Sequence, residues 1–388
     1  MKIPNIEFPT DFKSIWNRIE SIDPKKYAKT RNFIWGSVTY LSPYVSRGVI
    51  SVEDIRKVVI SKVESPWEIE KFIQELAWRE YWQRIWLEKG DAIFGDLKRS
   101  QDRRNADADL EDIPHVIDEF TTGITALDRA IEHMKETGYM HNHLRMYLAS
   151  VWCNVGGYSW LSGAKWMHYY LLDGDLASNW LSWQWVSGTN SSKLYFCNQE
   201  NINTYCGTRD TNTFLDHSYE YLSRSPLVIP DSLLKKSKKE YPQSPDFGDT
   251  IVITKVEELI LNQEDNMFVY HWYHLDPRWF QHDGGNRILV LESSFFNRFP
   301  VSPVAMKFAL ALALEIPNIQ IFYGEFSDVK RAFPETTFIT REHPLVNGWG
   351  VRTTPRLWMS TPSNAEGSFF NYWKKASREI MMKPMDGE

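Results

Sequence analysis

Between Asp173 and Trp185 the chain reads Asp-Gly-Asp-Leu-Ala-Ser-Asn-Trp-Leu-Ser-Trp-Gln-Trp, which sets two carboxylates, the Asn179 amide and the three indoles of Trp180, Trp183 and Trp185 in one short segment. Carboxylates in such apolar company need partners, because an unpaired buried charge costs several kcal/mol. The upstream segment from Gly138 to Met146 supplies a cation. At helical spacing it presents Asn142, Arg145 and Met146 on one face, and Arg145 is the natural partner of Asp173 or Asp175. Buried ion pairs also occur without chemistry, and in so aromatic a chain any one tryptophan is an ordinary core residue.

Further blocks frame these two. They are Tyr27 to Arg31, Val38-Thr-Tyr-Leu-Ser-Pro-Tyr44, Glu75-Leu-Ala-Trp78-Arg79-Glu-Tyr-Trp82, Thr122-Gly123, Asp128, and the run from Gly138 to Asn198. In order and spacing they resemble the flavin-binding core of the DNA photolyase and cryptochrome family. The resemblance implies FAD as cofactor. It places Tyr27, Thr39, Tyr40, Leu41 and Ser42 at the phosphates and ribityl chain, where hydroxyls near a helix start at Pro43 suit an anion; read alone, Ser42 is equally a plain N-cap. Asn179 matches the asparagine that photolyases hold beside the flavin N5, where plant and animal cryptochromes tend to have Asp or Cys. The Arg145–Asp173 pair would lie next to the ring, Asp175 near its pyrimidine side, and Arg79, Asn142 and Tyr139 would complete the cup.

The same resemblance assigns electron transfer and substrate. Trp183 and Trp160 match the inner and middle members of the family's tryptophan chain. The outermost tryptophan is missing, its place falling near Asp107, so photoreduction needs another exit such as Trp152, Trp166 or Tyr158. Glu75, Trp78, Asn142, Met146 and Trp185 match positions that contact a flipped cyclobutane pyrimidine dimer, with Arg31 and His143 also on the lesion side. Flat aromatic walls suit bases taken out of the stack. The run His141-Asn142-His143 departs from the His-His pair of (6-4) photolyases, and His143 replaces an arginine common in dimer-repairing enzymes. The expected activity is light-driven dimer repair, with Trp160, Trp183, Asn179 and Glu75 carrying the chemistry. UV-damaged DNA is the expected partner. A cryptochrome-like blue-light sensor and a flavoprotein that binds nucleic acid without repair are the rivals.

Composition bounds these readings. Hydrophobic residues make up 43% and charged residues 24% of 388, a globular balance. The net charge of −6 is not that of a protein that coats DNA, so a nucleic-acid reading needs a local basic patch. Lys25, Lys26, Lys29, Arg31 and Arg47, with Arg99, Arg103 and Arg104, are the candidates; each such run also reads as a solvated face. Cys153, Cys197 and Cys206 are too few for a disulfide framework or a four-cysteine cluster, which excludes the family's iron-sulfur branch, and no metal site is expected. The lack of a long apolar run and of a signal-like N-terminus points to a cytoplasmic protein without a membrane span.

The elements that must position these residues divide the chain in two. Residues 1–225 read as a mainly α-helical FAD-binding domain, 226–247 as a lysine- and proline-rich linker, and 248–388 as a smaller α/β domain. The fold class is thus α followed by α/β. Ser51-Val-Glu-Asp54 forms a capping-box start. Ile69 to Glu88 has helical periodicity with Gly90 beyond its end, and Thr125–Glu136, His141–Val155 and Ala164–Leu172 read as further helices. After the linker, Thr250–Thr254, Met267–Trp272, Arg287–Leu291 and Ile319–Tyr323 read as strands, with a helix over Val304–Leu314, so the sheet is parallel. The family's antenna domain precedes its flavin domain. Here α/β sequence follows instead, as a relocated antenna domain or an unrelated addition, with no glycine-rich phosphate loop to name a second chromophore.

Overall fold

The computed structural model describes residues 3–4, 6–98, 109–191, 193–224, 229–249, 251–260, 266–361 and 367–382. After two helices at Phe12–Glu20 and Pro24–Thr30 come α1 (Ser42–Ser46), α2 (Val52–Ser61) and α3 (Glu70–Lys89). Strand β1 (Asp112–Pro114) precedes α4 (Thr125–Thr137), α5 (Asn142–Ala149), α6 (Trp160–Tyr170) and α7 (Leu176–Ser187). Then come β2 (Lys236–Lys238), β3 (Met267–His271), β4 (Asn286–Leu291), α8 (Ser293–Arg298) and α9 (Pro303–Ala313). The chain ends with β5 (Ile319–Tyr323), α10 (Phe326–Ala332), β6 (Phe338–Arg341), β7 (Arg352–Thr354) and α11 (Phe369–Ile380).

Two compact units form. The first comprises Met1–Ile6, Lys29–Val38 and Lys89–Tyr241; the second comprises Glu7–Ala28, Thr39–Glu88 and Pro242–Glu388. The second unit therefore gathers early and late sequence around one sheet. The buried Arg47 guanidinium lies 4.2 Å from the Trp272 ring and donates to the Trp272 carbonyl. Arg278 makes a two-pronged pair with Asp54, Arg56 donates to the carbonyls of Ile380 and Met382, and Glu80 accepts from Ser360, Tyr372 and the Met359 backbone. Gly48 is required where it stands, since a Cβ there would sit 2.3 Å from the Tyr273 carbonyl oxygen and its φ is +65°.

The sheet of the second unit is wholly parallel, in the order β5-β4-β3-β6-β7. Central β3 is buried along its length, as a strand covered on both faces must be. Met267, Val269, Ile288, Val290, Phe322, Phe326 and Trp349 form the core on one side of it. Edge strand β7 is polar and short, Arg-Thr-Thr, which suits an unpaired edge.

Several sequence expectations need correction. Ser42 is the first residue of α1 and makes no capping bond; Leu41 holds the N-cap position. Residues 251–254 are not a strand, although the Thr254 amide donates to the Ile321 carbonyl, because that one bond does not extend into a ladder. The stretch 226–247 is more than a linker, since β2 within it pairs antiparallel with β1. Helix α6 starts at Trp160, ahead of the expected Ala164, because Ser159 caps it by accepting from the Leu161 amide. The helix expected through Val155 becomes a π-helical turn over Ser150–Val155. Strands β6, within the β-branched and aromatic run Thr336–Thr340, and β7, Arg-Thr-Thr, add to the strands expected from sequence. The capping box of Ser51 and Asp54 forms as expected.

Candidate functional site

In the first unit, α5 turns Leu144, Tyr147 and Leu148 into the core and leaves Asn142, Arg145 and Met146 on its other face. Arg145 reaches from that face to Asp173. One guanidinium nitrogen lies 3.0 Å from both carboxylate oxygens, and its Nε donates to the Met140 carbonyl at 2.8 Å. The Asp173 side chain is only 4% exposed, so this pairing supplies the compensation that its burial demands. Tyr139 lies under the same guanidinium, 5.9 Å away. Of the two acids considered, Asp173 is the ion-pair partner. Asp175 instead caps α7, accepting from the amide and hydroxyl of Ser178.

Helix α7 is apolar and buried on most sides, except for a stripe of less buried residues, Ser178, Asn179, Ser182 and Trp185. Asn179 donates its amide nitrogen to the Ala164 carbonyl at 2.8 Å. That bond fixes the carboxamide and leaves its oxygen as the acceptor for a ligand. Beneath the stripe, Trp183 is buried and packs edge-to-face on Trp152, with centroids 5.7 Å apart. The contact depends on Gly163 of α6, because a Cβ there would fall 2.3 Å from the Trp183 ring. Trp152 in turn contacts Trp166 at 5.6 Å, and Trp166 contacts Tyr170 at 5.3 Å. The Trp166 indole N–H points to Asp118, 3.4 Å away. Burial alone would raise the Asp118 carboxyl, but the Lys135 ammonium at 2.9 Å and the indole hold it below its ordinary value. Trp160 follows a different course, donating to Asp96 at 2.7 Å.

The histidines of the 141–143 run are uncharged. Burial, aided by the nearby Arg31, lowers His143 to about 4, and burial lowers His141 to about 4. His143 is packed between Tyr147 and Tyr205, so it does not supply the positive charge of the arginine it replaces. Arg31 donates to Asn32, and Trp185 packs on Tyr195 at 5.8 Å.

The remaining expected site residues belong to the second unit. Arg79 donates to the Ser46 hydroxyl at 2.6 Å, one turn beyond Ser42. Tyr40 adopts a left-handed backbone, φ +53°, an uncommon conformation for a side chain of this size and one that clusters at ligand sites. Leu41 is buried, and the Tyr27 ring meets Phe72 edge-on at 4.9 Å. Glu75 pairs with Lys71 across one turn of α3. Trp78 carries an aromatic ring that sequence did not foresee, that of Phe369, stacked at 3.8 Å and 11°. Of the basic candidates, Arg47 is buried and committed to Trp272, which removes it from any surface patch. Lys25 is engaged by Glu68. Arg99, Arg103, Arg104 and Asp107 lie outside the described residues.

Residues 72–224 match the FAD-binding domain of DNA photolyase. This segment belongs to the photolyase and cryptochrome family. The photolyase-type domain has FAD as its cofactor, and the residues present fit it: an amide with a free acceptor oxygen, an arginine held at a partly exposed face, and a less buried stripe along an otherwise buried helix. A deoxyribodipyrimidine photo-lyase of Streptomyces griseus is 32% identical over 151 residues, which cover 39% of this chain and 32% of that protein. The chloroplastic/mitochondrial cryptochrome DASH of Ostreococcus tauri is 32% identical over 177 residues, covering 43% of this chain and 32% of that one. The Synechocystis cryptochrome structure aligns over 52% of this chain and 44% of its own, at 23% identity and TM-score 0.44. The chain thus spans about a third of the length of the curated relatives it matches. Among the described residues, no cluster of three or more His, Cys, Asp or Glu side chains could hold a metal ion, and no helix is long and apolar enough to cross a membrane.

Sequence reasoning named Trp152 and Trp166 only as members of a set of possible exits. Gly163 was the available signal, a glycine inside a helix with an indole against it. Ser46, the partner of Arg79, carried no signal beyond its one-turn spacing from Ser42.

Proposed function

We propose that this protein is a light-driven flavoenzyme that repairs cyclobutane pyrimidine dimers in DNA. Reduced FAD, held by the residues below, would supply blue-light-driven one-electron donation, and because the splitting of the cyclobutane ring is redox-neutral no other oxidant or reductant would be consumed. Arg145, tied to Asp173, orients the ring from the open face of α5. Asn179, its nitrogen held by Ala164, offers its oxygen at the flavin edge and so controls a proton there. Tyr27, Thr39, Tyr40, Leu41 and Ser42 are assigned to the phosphate and ribityl portion, Asp175 to the pyrimidine side of the ring, and Arg79, Asn142 and Tyr139 to the rest of its cup. Glu75, Trp78, Met146 and Trp185 are assigned to the dimer, Glu75 by hydrogen bonding and the others by apolar and stacking contact, with Arg31 and His143 at its margin. Electrons to reduce the flavin are assigned to the row Trp166, Trp152 and Trp183, ending at Asp118, whose carboxylate favours a positive charge on the neighbouring indole.

The observation that carries this reading is the fixed Asn179 amide within a segment of photolyase sequence. Its test is binding to oligonucleotides with and without a thymine dimer. Trp185→Ala should weaken dimer binding by about 1–3 kcal/mol, the worth of base–aromatic stacking, and leave undamaged DNA unaffected. Equal affinity of the wild type for both oligonucleotides at physiological salt removes repair and puts the light-sensor reading first.

A further inference from the structure

The ring of Phe369 lies on the indole of Trp78 with centroids 3.8 Å apart and planes 11° from parallel, a geometry of two stacked bases. Both residues belong to the second unit. Trp78 is three residues from Glu75 on α3, so the two side chains share one face of that helix. Phe369 has about the flat area of a pyrimidine but no polar edge that could use the Glu75 carboxylate. It is the first residue of α11, whose remainder is anchored elsewhere. The Tyr372 hydroxyl donates to the buried Glu80, and the Trp373 indole donates to Glu70. Phe369 itself is held by ring contacts, with Trp78 on its face and Tyr81 at its edge, while the Tyr81 hydroxyl donates to the Gly367 carbonyl just before the helix.

From these contacts we propose that Phe369 is a built-in competitor for the stacking face of Trp78, displaced when a pyrimidine base of damaged DNA takes its place. The first turn of α11 is closed by one long side-chain capping bond, the Asn371 amide donating to the Ser368 hydroxyl at 3.4 Å, and a first turn is the part of a helix that opens at least cost. Unwinding that turn moves Phe369 off the indole while Tyr372 and Trp373 keep α11 docked. The incoming base exchanges one stacked ring for another and adds hydrogen bonds to Glu75. Undamaged duplex keeps its bases stacked internally and has nothing to offer Trp78, so the competition sharpens discrimination as well as weakening affinity. This inference rests on the dimer-binding reading of Trp78 given above.

The test is fluorescence anisotropy with thymine-dimer and undamaged oligonucleotides. Phe369→Ala should bind the dimer-containing strand about 5- to 100-fold more tightly, the stacking contribution of one ring, with undamaged affinity unchanged. Phe369→Leu, which keeps the apolar volume but not the flat face, should gain less and guards against loss of folding in the alanine variant. 4-Fluorophenylalanine placed at 369 in the intact chain should show its fluorine resonance moving away from the Trp78 ring-current position when the dimer strand is added. A wild type that prefers dimers while neither variant gains and the fluorine signal stays fixed overturns the competitor and leaves the dimer site standing. No dimer preference in the wild type or in either variant overturns the dimer site itself, and the competitor with it.

Discussion

Replacing Arg145 by alanine tests whether the ion pair on α5 holds the first unit and its cofactor together. The Asp173 side chain is 4% exposed and that of Arg145 20%. Truncating the arginine leaves a buried carboxylate without its counter-ion, a loss of about 3–5 kcal/mol for a fully buried pair. Because Arg145 retains some water contact, the lower end, about 3 kcal/mol, is expected; at 2–4 °C per kcal/mol for a domain of this size that is a melting shift of about 6–12 °C. The bond from Arg145 to the Met140 carbonyl is lost too, at about 1 kcal/mol. A double-mutant cycle with Asp173→Asn separates the two, since the Met140 bond is lost in both backgrounds and cancels. Arg145→Ala should cost about 2 kcal/mol less when residue 173 is already an amide, and flavin retention after gel filtration should fall in both single variants. Equal costs in the two backgrounds, with stoichiometric flavin throughout, would refute the reasoning.

Three further outcomes follow from the same geometry. His271, His274 and His343 are fully buried in the second unit, and burial lowers all three, His271 to about 3. Unfolding restores ordinary pKa values near 6.5, so the unfolded chain takes up protons first as pH falls; stability is intact above pH 6.5 and should decline below it by about 1.4 kcal/mol per pH unit for each histidine, until His271 saturates near 3. A urea midpoint that is the same at pH 7.5 and pH 5 contradicts this. Trp152→Phe should slow photoreduction of bound flavin more than Trp160→Phe, because Trp152 is the ring in contact with Trp183; the reverse order, read by absorbance under blue light, would return the role to Trp160. Asn179→Asp should keep the flavin but change the photoreduction endpoint, and an endpoint identical to wild type under the same illumination removes Asn179 from the flavin edge.

Much of the first unit was legible in sequence because its signals are local. Charge and helical spacing offered Asp173 or Asp175 as the partner of Arg145, the family resemblance pointed to Asp173, and Asp173 is the partner in the structure. In the second unit the capping box at Ser51 also formed, a signal three residues long, as did the parallel strand direction implied by alternating strands and helices, although β3 and β6 that pair in it lie some seventy positions apart. What escaped is non-local. Nothing near Arg47 announces that its guanidinium lies on Trp272, so it read as a surface cation. Nothing near Trp78 announces Phe369, nearly three hundred positions on, because stacking leaves no periodic trace. The basic, proline-rich stretch around Lys236 read as a linker because its pairing partner, Ile113 with its neighbours, lies more than a hundred positions earlier in sequence.

Whether this chain uses light and reduced FAD to split pyrimidine dimers, as proposed, is read most directly by chromatography of a thymine-dimer oligonucleotide after blue-light exposure with the flavin-loaded protein under reducing conditions. Conversion of dimer to two thymines is expected in the light and none in the dark, with conversion lost in Arg145→Ala in step with its flavin. A protein that carries FAD and responds spectrally to blue light yet leaves the dimer intact after exhaustive illumination would contradict it.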